Sequence, residues 1–175
     1  YSFLLFINSN LMSQNVIYSF NNDTNLKGWE VVNDDVMGGV SSATLSKNTK
    51  GNGVFKGVIS LKNNGGFSSI RYYFNRIIIN DNTSIRIKLK GDGKIYQFRI
   101  KANKRDYYSY IMPFETSGEW ETINIKLKDM YPSFRGRELN MKKFNNDYFE
   151  QVTFLIGNKR DEKFQLLIDE LILEQ

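Results

Sequence analysis

Three observations on this sequence predict an all-β fold, an antiparallel β-sandwich of jelly-roll type. Apolar and polar residues alternate with a period of two along many short stretches. Asn, Asp and Gly pairs punctuate those stretches, and no segment of about ten residues holds a sustained 3.6-residue apolar period. Many short strands without Pro-rich linkers bury their apolar faces by packing two antiparallel sheets together, and the jelly roll is the natural version for about eight or nine strands in one domain.

The strands predicted in chain order begin with Val16–Phe20, Val54–Leu61 and Ser68–Phe74. Next, Ile85, Ile87 and Leu89 alternate with Arg86, Lys88 and Lys90, and after Gly91-Asp92-Gly93 the residues Tyr96, Phe98 and Ile100 alternate with Gln97, Arg99 and Lys101. A glycine-flanked turn between two such runs reads as a β-hairpin, apolar residues inward and cations outward. Ser109–Phe114, Thr122–Leu127, Gln151–Ile156 and Phe164–Leu173 complete the set. Val152-Thr153-Phe154-Leu155-Ile156 is apolar almost throughout and is expected between covering layers. Asp129–Phe149 is too long for a hairpin loop and is expected to lie across one end of the sandwich.

Composition excludes several chemistries. The 175 residues contain no Cys and no His. Disulfides, thiolate nucleophiles, the usual base of hydrolytic triads and the common zinc ligands are therefore missing. Oxygen ligands remain, so a hard cation such as Ca²⁺ is chemically allowed. Tyr18–Asn22 with Leu167–Leu171 faintly resembles carbohydrate-binding jelly rolls, a likeness that implies a structural Ca²⁺ between the early loop and Asp169, although Asn21 and Asn22 stand where an acidic residue would strengthen it. The formal charge of +5 is concentrated between Arg86 and Arg105. Arg86, Lys88, Lys90, Arg99 and Lys101 on neighbouring strands would make a basic strip, but no RNA-binding signature accompanies it, and nucleic acid is disfavoured as a partner.

Four glycine-containing motifs carry the strongest signal. Trp29-Glu30-Val31-Val32-Asn33-Asp34-Asp35-Val36-Met37-Gly38-Gly39 comes first. Asn63-Asn64-Gly65-Gly66-Phe67-Ser68-Ser69-Ile70-Arg71, Lys90-Gly91-Asp92-Gly93-Lys94-Ile95-Tyr96 and Tyr131-Pro132-Ser133-Phe134-Arg135-Gly136-Arg137 follow in order. From about Tyr18 to the C-terminus this series resembles the thirty-kilodalton complex I intermediate-associated protein family. The resemblance implies a galactose-binding-domain-like jelly roll and a non-enzymatic module. Mitochondrial members of that family assist assembly of the respiratory NADH:ubiquinone oxidoreductase. The implied function is a chaperone-like module recognising another protein, in a stand-alone, bacterial-type domain over 16–175. The alternative is an exported carbohydrate-binding module.

Asp34, Asp35, Arg71, Arg99, Arg135 and Arg137 are the candidate ligand or partner-binding residues. Trp29, Met37, Gly38, Gly39, Gly65, Gly66, Phe67, Gly91, Asp92, Gly93 and Gly136 form the structural motif. One of the two adjacent carboxylates is expected to cap backbone amides. The arginines are expected to pair with Asp34, Asp35, Asp92 or Asp169 in an internal network, with Arg135 and Arg137 tethering the long segment. The opposing expectation is an anion site on the concave face. Trp29 and Trp120 are expected as core or rim aromatics. No catalytic residue, cofactor or metal ligand is assigned. The apolar run Tyr1–Leu11 reads either as a signal-peptide remnant, placing the protein outside the cytoplasm, or as an apolar tail of a cytoplasmic protein.

Overall fold

The computed structural model describes residues 15–175, and the apolar run Tyr1–Leu11 lies outside them. Thirteen strands form two antiparallel sheets. They are β1 (Asn15–Ser19), β2 (Trp29–Asn33), β3 (Ser42–Lys47), β4 (Gly53–Ile59), β5 (Ser68–Ile78), β6 (Ser84–Lys90) and β7 (Ile95–Lys101). After these come β8 (Ser109–Glu115), β9 (Trp120–Lys126), β10 (Tyr131–Phe134), β11 (Arg137–Glu138), β12 (Tyr148–Ile156) and β13 (Glu162–Glu174). The first sheet runs β3-β4-β13-β6-β9, with β1 also on β13; the second runs β11-β10-β8-β7-β12-β5-β2.

Period-two alternation places one face of each strand inside. Phe55, Ile87, Leu89, Leu166 and Ile168 from the first sheet meet Ile70, Tyr96, Phe98, Val152 and Phe154 from the second in one buried cluster. Phe98 and Phe154 pack edge to face at 5.3 Å, as do Phe55 and Phe164 at 4.8 Å. Trp29 joins Tyr18, Phe20 and Tyr72 at one end of this core. Trp120 instead sits half exposed on β9, with the Lys88 ammonium 6.0 Å above its ring.

The expected hairpin at Gly91–Gly93 is not formed. β6 pairs with β9 and β13 in the first sheet, and β7 pairs with β8 and β12 in the second. The Gly-Asp-Gly segment is the step between layers. A Cβ at Gly91 would overlap the Thr116 side chain, and Gly93 has φ 79°. Asp92 fastens the step by accepting from Tyr96 Oη at 2.9 Å, Lys94 Nζ at 2.8 Å and the Gln165 N–H at 2.9 Å. The basic strip disappears with the hairpin. Arg86, Lys88 and Lys90 face outward from one sheet, where they pair with Glu170, Glu174, Asp169 and Glu119; Arg99 and Lys101 lie on the outer face of the other. The long segment Asp129–Phe149 is also more regular than expected: it contains β10 and β11 at the edge of the second sheet.

Candidate functional site

The outer face of the seven-stranded sheet is a cleft of about 390 Å³. Its floor comes from residues of one parity on β5, β7 and β12. Cross-strand register puts Arg71 and Arg99 on either side of Thr153, and Lys101 opposite Gln151 one step along. Gln151 and Thr153 are buried despite pointing away from the core, and the Gln151 amide donates to Thr153 Oγ1 at 2.9 Å. One wall is Met37, Asn64, Gly66 and Phe67; the other is Tyr107, Phe134, Arg135 and Gly136. Met37, Tyr107 and Phe134 expose 56%, 64% and 37% of their surface, so the rim is apolar above a cationic floor.

None of the three floor cations has a carboxylate within 4 Å among the described residues. Arg99 directs Nε and Nη2 at Gln97 Oε1, the former at 3.0 Å, and Lys101 donates to the Asp106 carbonyl at 2.6 Å. Burial, reinforced by the charge of Arg71, pushes the Arg99 guanidinium down to about 10. Burial likewise lowers the Lys101 ammonium, with Arg71 and Arg99 adding to the effect and Asp106 opposing it. An Arg99 pKa near 10 keeps that guanidinium charged at neutral pH.

The internal ion-pair network expected of the arginines is absent. Its intended acceptors are used elsewhere. Asp34 is buried and accepts from the Ser41 N–H (2.9 Å), the Ser41 hydroxyl, the Gly66 N–H (2.6 Å) and the Phe67 N–H (3.3 Å). Burial alone would raise its pKa, but the hydrogen bonds outweigh burial and hold the carboxyl below its ordinary range. The carboxylate therefore clips the Asp34–Met37 3₁₀ turn to the Gly65-Gly66-Phe67 loop, as the amide-capping expectation had it. Asp35 is exposed, and among the described residues its carboxylate accepts only from the Val36 N–H. Gly38 has φ 86°, whereas a Cβ at Gly39 would overlap the Asp34 carboxyl carbon and one at Gly65 would collide with Asp34 Oδ2. Gly39 and Gly65 are thus required by close approach, and Gly38 by backbone conformation.

The expected tether through Arg135 and Arg137 also fails. Both side chains are exposed, and among the described residues neither makes a hydrogen bond or ion pair. Arg135 and Gly136 turn the chain between β10 and β11, with φ of 48° and 75°, and the Arg135 guanidinium carbon stands 5.2 Å over the Phe134 ring. Arg135 faces the cleft; Arg137 is not among its lining residues.

The loop weighed above for Ca²⁺ holds a cation of the chain's own. The carbonyls of Asn21 and Asn22 accept from Lys47 Nζ at 3.0 Å each, and the Thr24 carbonyl joins them. An ammonium of the chain itself thus sits among these carbonyls. Asp169 is engaged separately, by Asn52 Nδ2 at 3.1 Å and Lys88 Nζ at 2.8 Å. No group of three acidic side chains suited to a metal occurs among the described residues.

The sequence profile of the complex I intermediate-associated protein 30 family matches residues 18–168. The chain belongs to this family. No curated protein sequence matches it. Among solved structures, this complex I intermediate-associated protein 30 member is similar in fold to carbohydrate-binding modules. A family 11 module from Clostridium thermocellum, in complex with a β-1,3-1,4-mixed-linked tetrasaccharide, superposes with a TM-score of 0.66 at 15% identity, covering 91% of this chain and 94% of the module. The family 11 module of a cellulosomal cellulase of the same organism gives 0.67 at 13% identity, covering 93% and 94%. A family 29 module gives 0.55 at 14% identity, covering 93% and 90%. At such identities the likeness establishes the jelly-roll fold. No helix among the described residues is long and apolar enough to cross a membrane.

Three of the sequence candidates line the cleft, Arg71 and Arg99 on its floor and Arg135 on its wall, whereas Asp34, Asp35 and Arg137 do not. Lys101 stood out in the sequence only as part of the charge run, although its spacing of two from Arg99 already put both on one face. Phe134 stood out only as part of its motif, and Gln151, Thr153 and Tyr107 carried no distinguishing signal: a buried polar floor depends on neighbouring strands and walls that come from elsewhere in the chain.

Proposed function

We propose that this family member is a non-catalytic binding module that recognises another protein through the outer face of its seven-stranded sheet, as the assembly-factor family implies. The observation that carries this reading is the cleft: a buried polar floor holding unpaired cations, bordered by exposed Met37, Tyr107 and Phe134. Apolar anchors around a desolvated polar centre are the composition of a recognition surface. The candidate acids point away from catalysis. Asp34 is enclosed by its own donors and Asp35 is exposed beside it, so the two do not face one reacting group.

A photo-cross-linking residue at Tyr107 tests the proposal. It should trap a subunit of assembling NADH:ubiquinone oxidoreductase, whereas the same residue at Lys56, exposed on the other sheet, should not. Loss of the protein should leave assembly intermediates visible on native gels. Unchanged assembly together with equal trapping at both positions would overturn it.

A second reading, glycan binding, is favoured by one observation. The exposed Tyr107 ring stands at a cleft that also presents the Gln97 and Gln151 amides. Retardation in gels containing a neutral β-glucan, lost in Tyr107→Ala, would establish it instead.

A further inference from the structure

We infer that Arg71, Arg99 and Lys101 form a carboxylate-binding floor for an extended acidic segment of a protein partner. This inference rests on the protein-recognition reading of the same cleft. Folding places three cations on one face of adjacent strands, flanking buried Thr153 and Gln151, and among the described residues none of them has a carboxylate within 4 Å. Partly buried cations are normally paired, because desolvation and mutual repulsion both oppose their charge. The nearest acids only partly offset this charge: Asp106, which takes the Asn103 N–H, favours the charged form of Lys101 from beyond 4 Å, and Glu30, opposite Arg71 on β2, takes the Tyr73 hydroxyl. An arriving carboxylate would therefore relieve an imbalance already built into the sheet.

Arg99 and Lys101 are also held in place with donors to spare. Gln97 engages two of the five N–H groups of Arg99, and the Asp106 carbonyl engages one of the three of Lys101. Fixing a side chain before binding reduces the ordering cost of association. Its remaining donors suit a carboxylate, which can accept two parallel N–H bonds from a guanidinium.

Spacing selects the shape of the ligand. Arg99 and Lys101 are two residues apart on β7, and Arg71 lies two strands from Arg99 across β12. Alternate residues of a strand recur about every 6.6–6.8 Å. An extended peptide with Glu or Asp at alternate positions repeats at the same interval, so one acid can meet Arg99 and the next Lys101. Met37 on one wall and Phe134 on the other suit apolar residues flanking those acids.

Titration calorimetry at fixed moderate salt provides the test. The probe is the acetylated, amidated peptide Leu-Glu-Val-Glu-Leu, compared with its Gln-for-Glu counterpart and with an oligogalacturonate. The glutamyl peptide should bind at least tenfold more tightly than the glutamine peptide. Arg99→Gln, Lys101→Gln and Arg71→Gln should each weaken it at least fivefold, whereas Lys126→Gln, removing an exposed charge from β9, should leave it unchanged. Melting curves identify any variant that fails to fold, and the other two then carry the comparison. Equal binding of the two peptides, no binding of the glutamyl peptide, indifference to all the folded cleft variants, or binding of the uronate alone would overturn the inference. Trapping of a protein at Tyr107 without glutamyl-peptide binding would sink this inference and leave the protein-recognition reading standing.

Discussion

The carboxylate of Asp34 holds Ser41, Gly66 and Phe67 at once, so protonating it loosens two loops together. Its folded pKa lies below the ordinary value of 3.8. The associated stability is fully present above the unfolded pKa and is lost as the pH falls through the depressed folded value. Asp34→Asn should therefore lower the melting temperature at neutral pH and flatten its decline in acid, as thermal melts at several pH values would reveal. The neighbouring glycines separate two kinds of constraint. Gly39→Ala drives a methyl into the Asp34 carboxyl group and should cost about 2 kcal/mol in urea denaturation, typical of overpacking. Gly38→Asn should cost well under that, since Asn tolerates positive φ and nothing lies within 4 Å of the new Cβ. Equal losses at the two positions would refute this distinction.

The turn joining β10 and β11 places a non-glycine residue, Arg135, in the left-handed region. A two-residue hairpin turn with both central φ values positive favours Asn-Gly. Arg135→Asn should stabilise the domain by about 0.5 kcal/mol, read as a small rise in melting temperature; a fall would mean that the guanidinium contributes more than its backbone costs. Strands such as Ile85–Leu89 and Tyr96–Ile100 were legible because a half-buried strand writes its orientation into alternate residues. Their pairing was not. A short glycine-rich link predicts a hairpin, and what overrides it is remote in sequence: Asp92 bonds Gln165, and Gly91 fits beneath Thr116. β2 and β3 escaped notice because they are edge strands with modest apolar content. The same limit governed the cleft: Arg71 and Arg99 were candidates in the sequence, but their meeting across Thr153 with no carboxylate within 4 Å among the described residues is a property of assembled sheets.

Across the whole molecule, positive charge is distributed unevenly between the two outer faces. Arg86, Lys88 and Lys90 form ion pairs with acidic residues on one sheet, while Arg71, Arg99 and Lys101 on the other have no carboxylate within 4 Å among the described residues. Replacing the latter three by Gln should shorten retention on a sulfonate exchanger at neutral pH more than removing three exposed lysines elsewhere, and added salt should shrink the difference. Equal shifts would show that net charge, and not its placement, governs retention. Lys47 has a consequence of a different sort. A bound ion can be stripped by a chelator, replaced by a competitor or lost by dilution; an ammonium that belongs to the chain has no dissociation constant. The loop from Asn21 to Thr24 is thereby closed by a component made with the protein itself, at a fixed ratio of one per molecule. Melting temperature should be indifferent to calcium or to a chelator in the wild type, while Lys47→Met, which leaves three carbonyls facing an apolar side chain, should destabilise by about 1 kcal/mol. The loop's integrity then follows synthesis of the chain and not the mineral content of its surroundings.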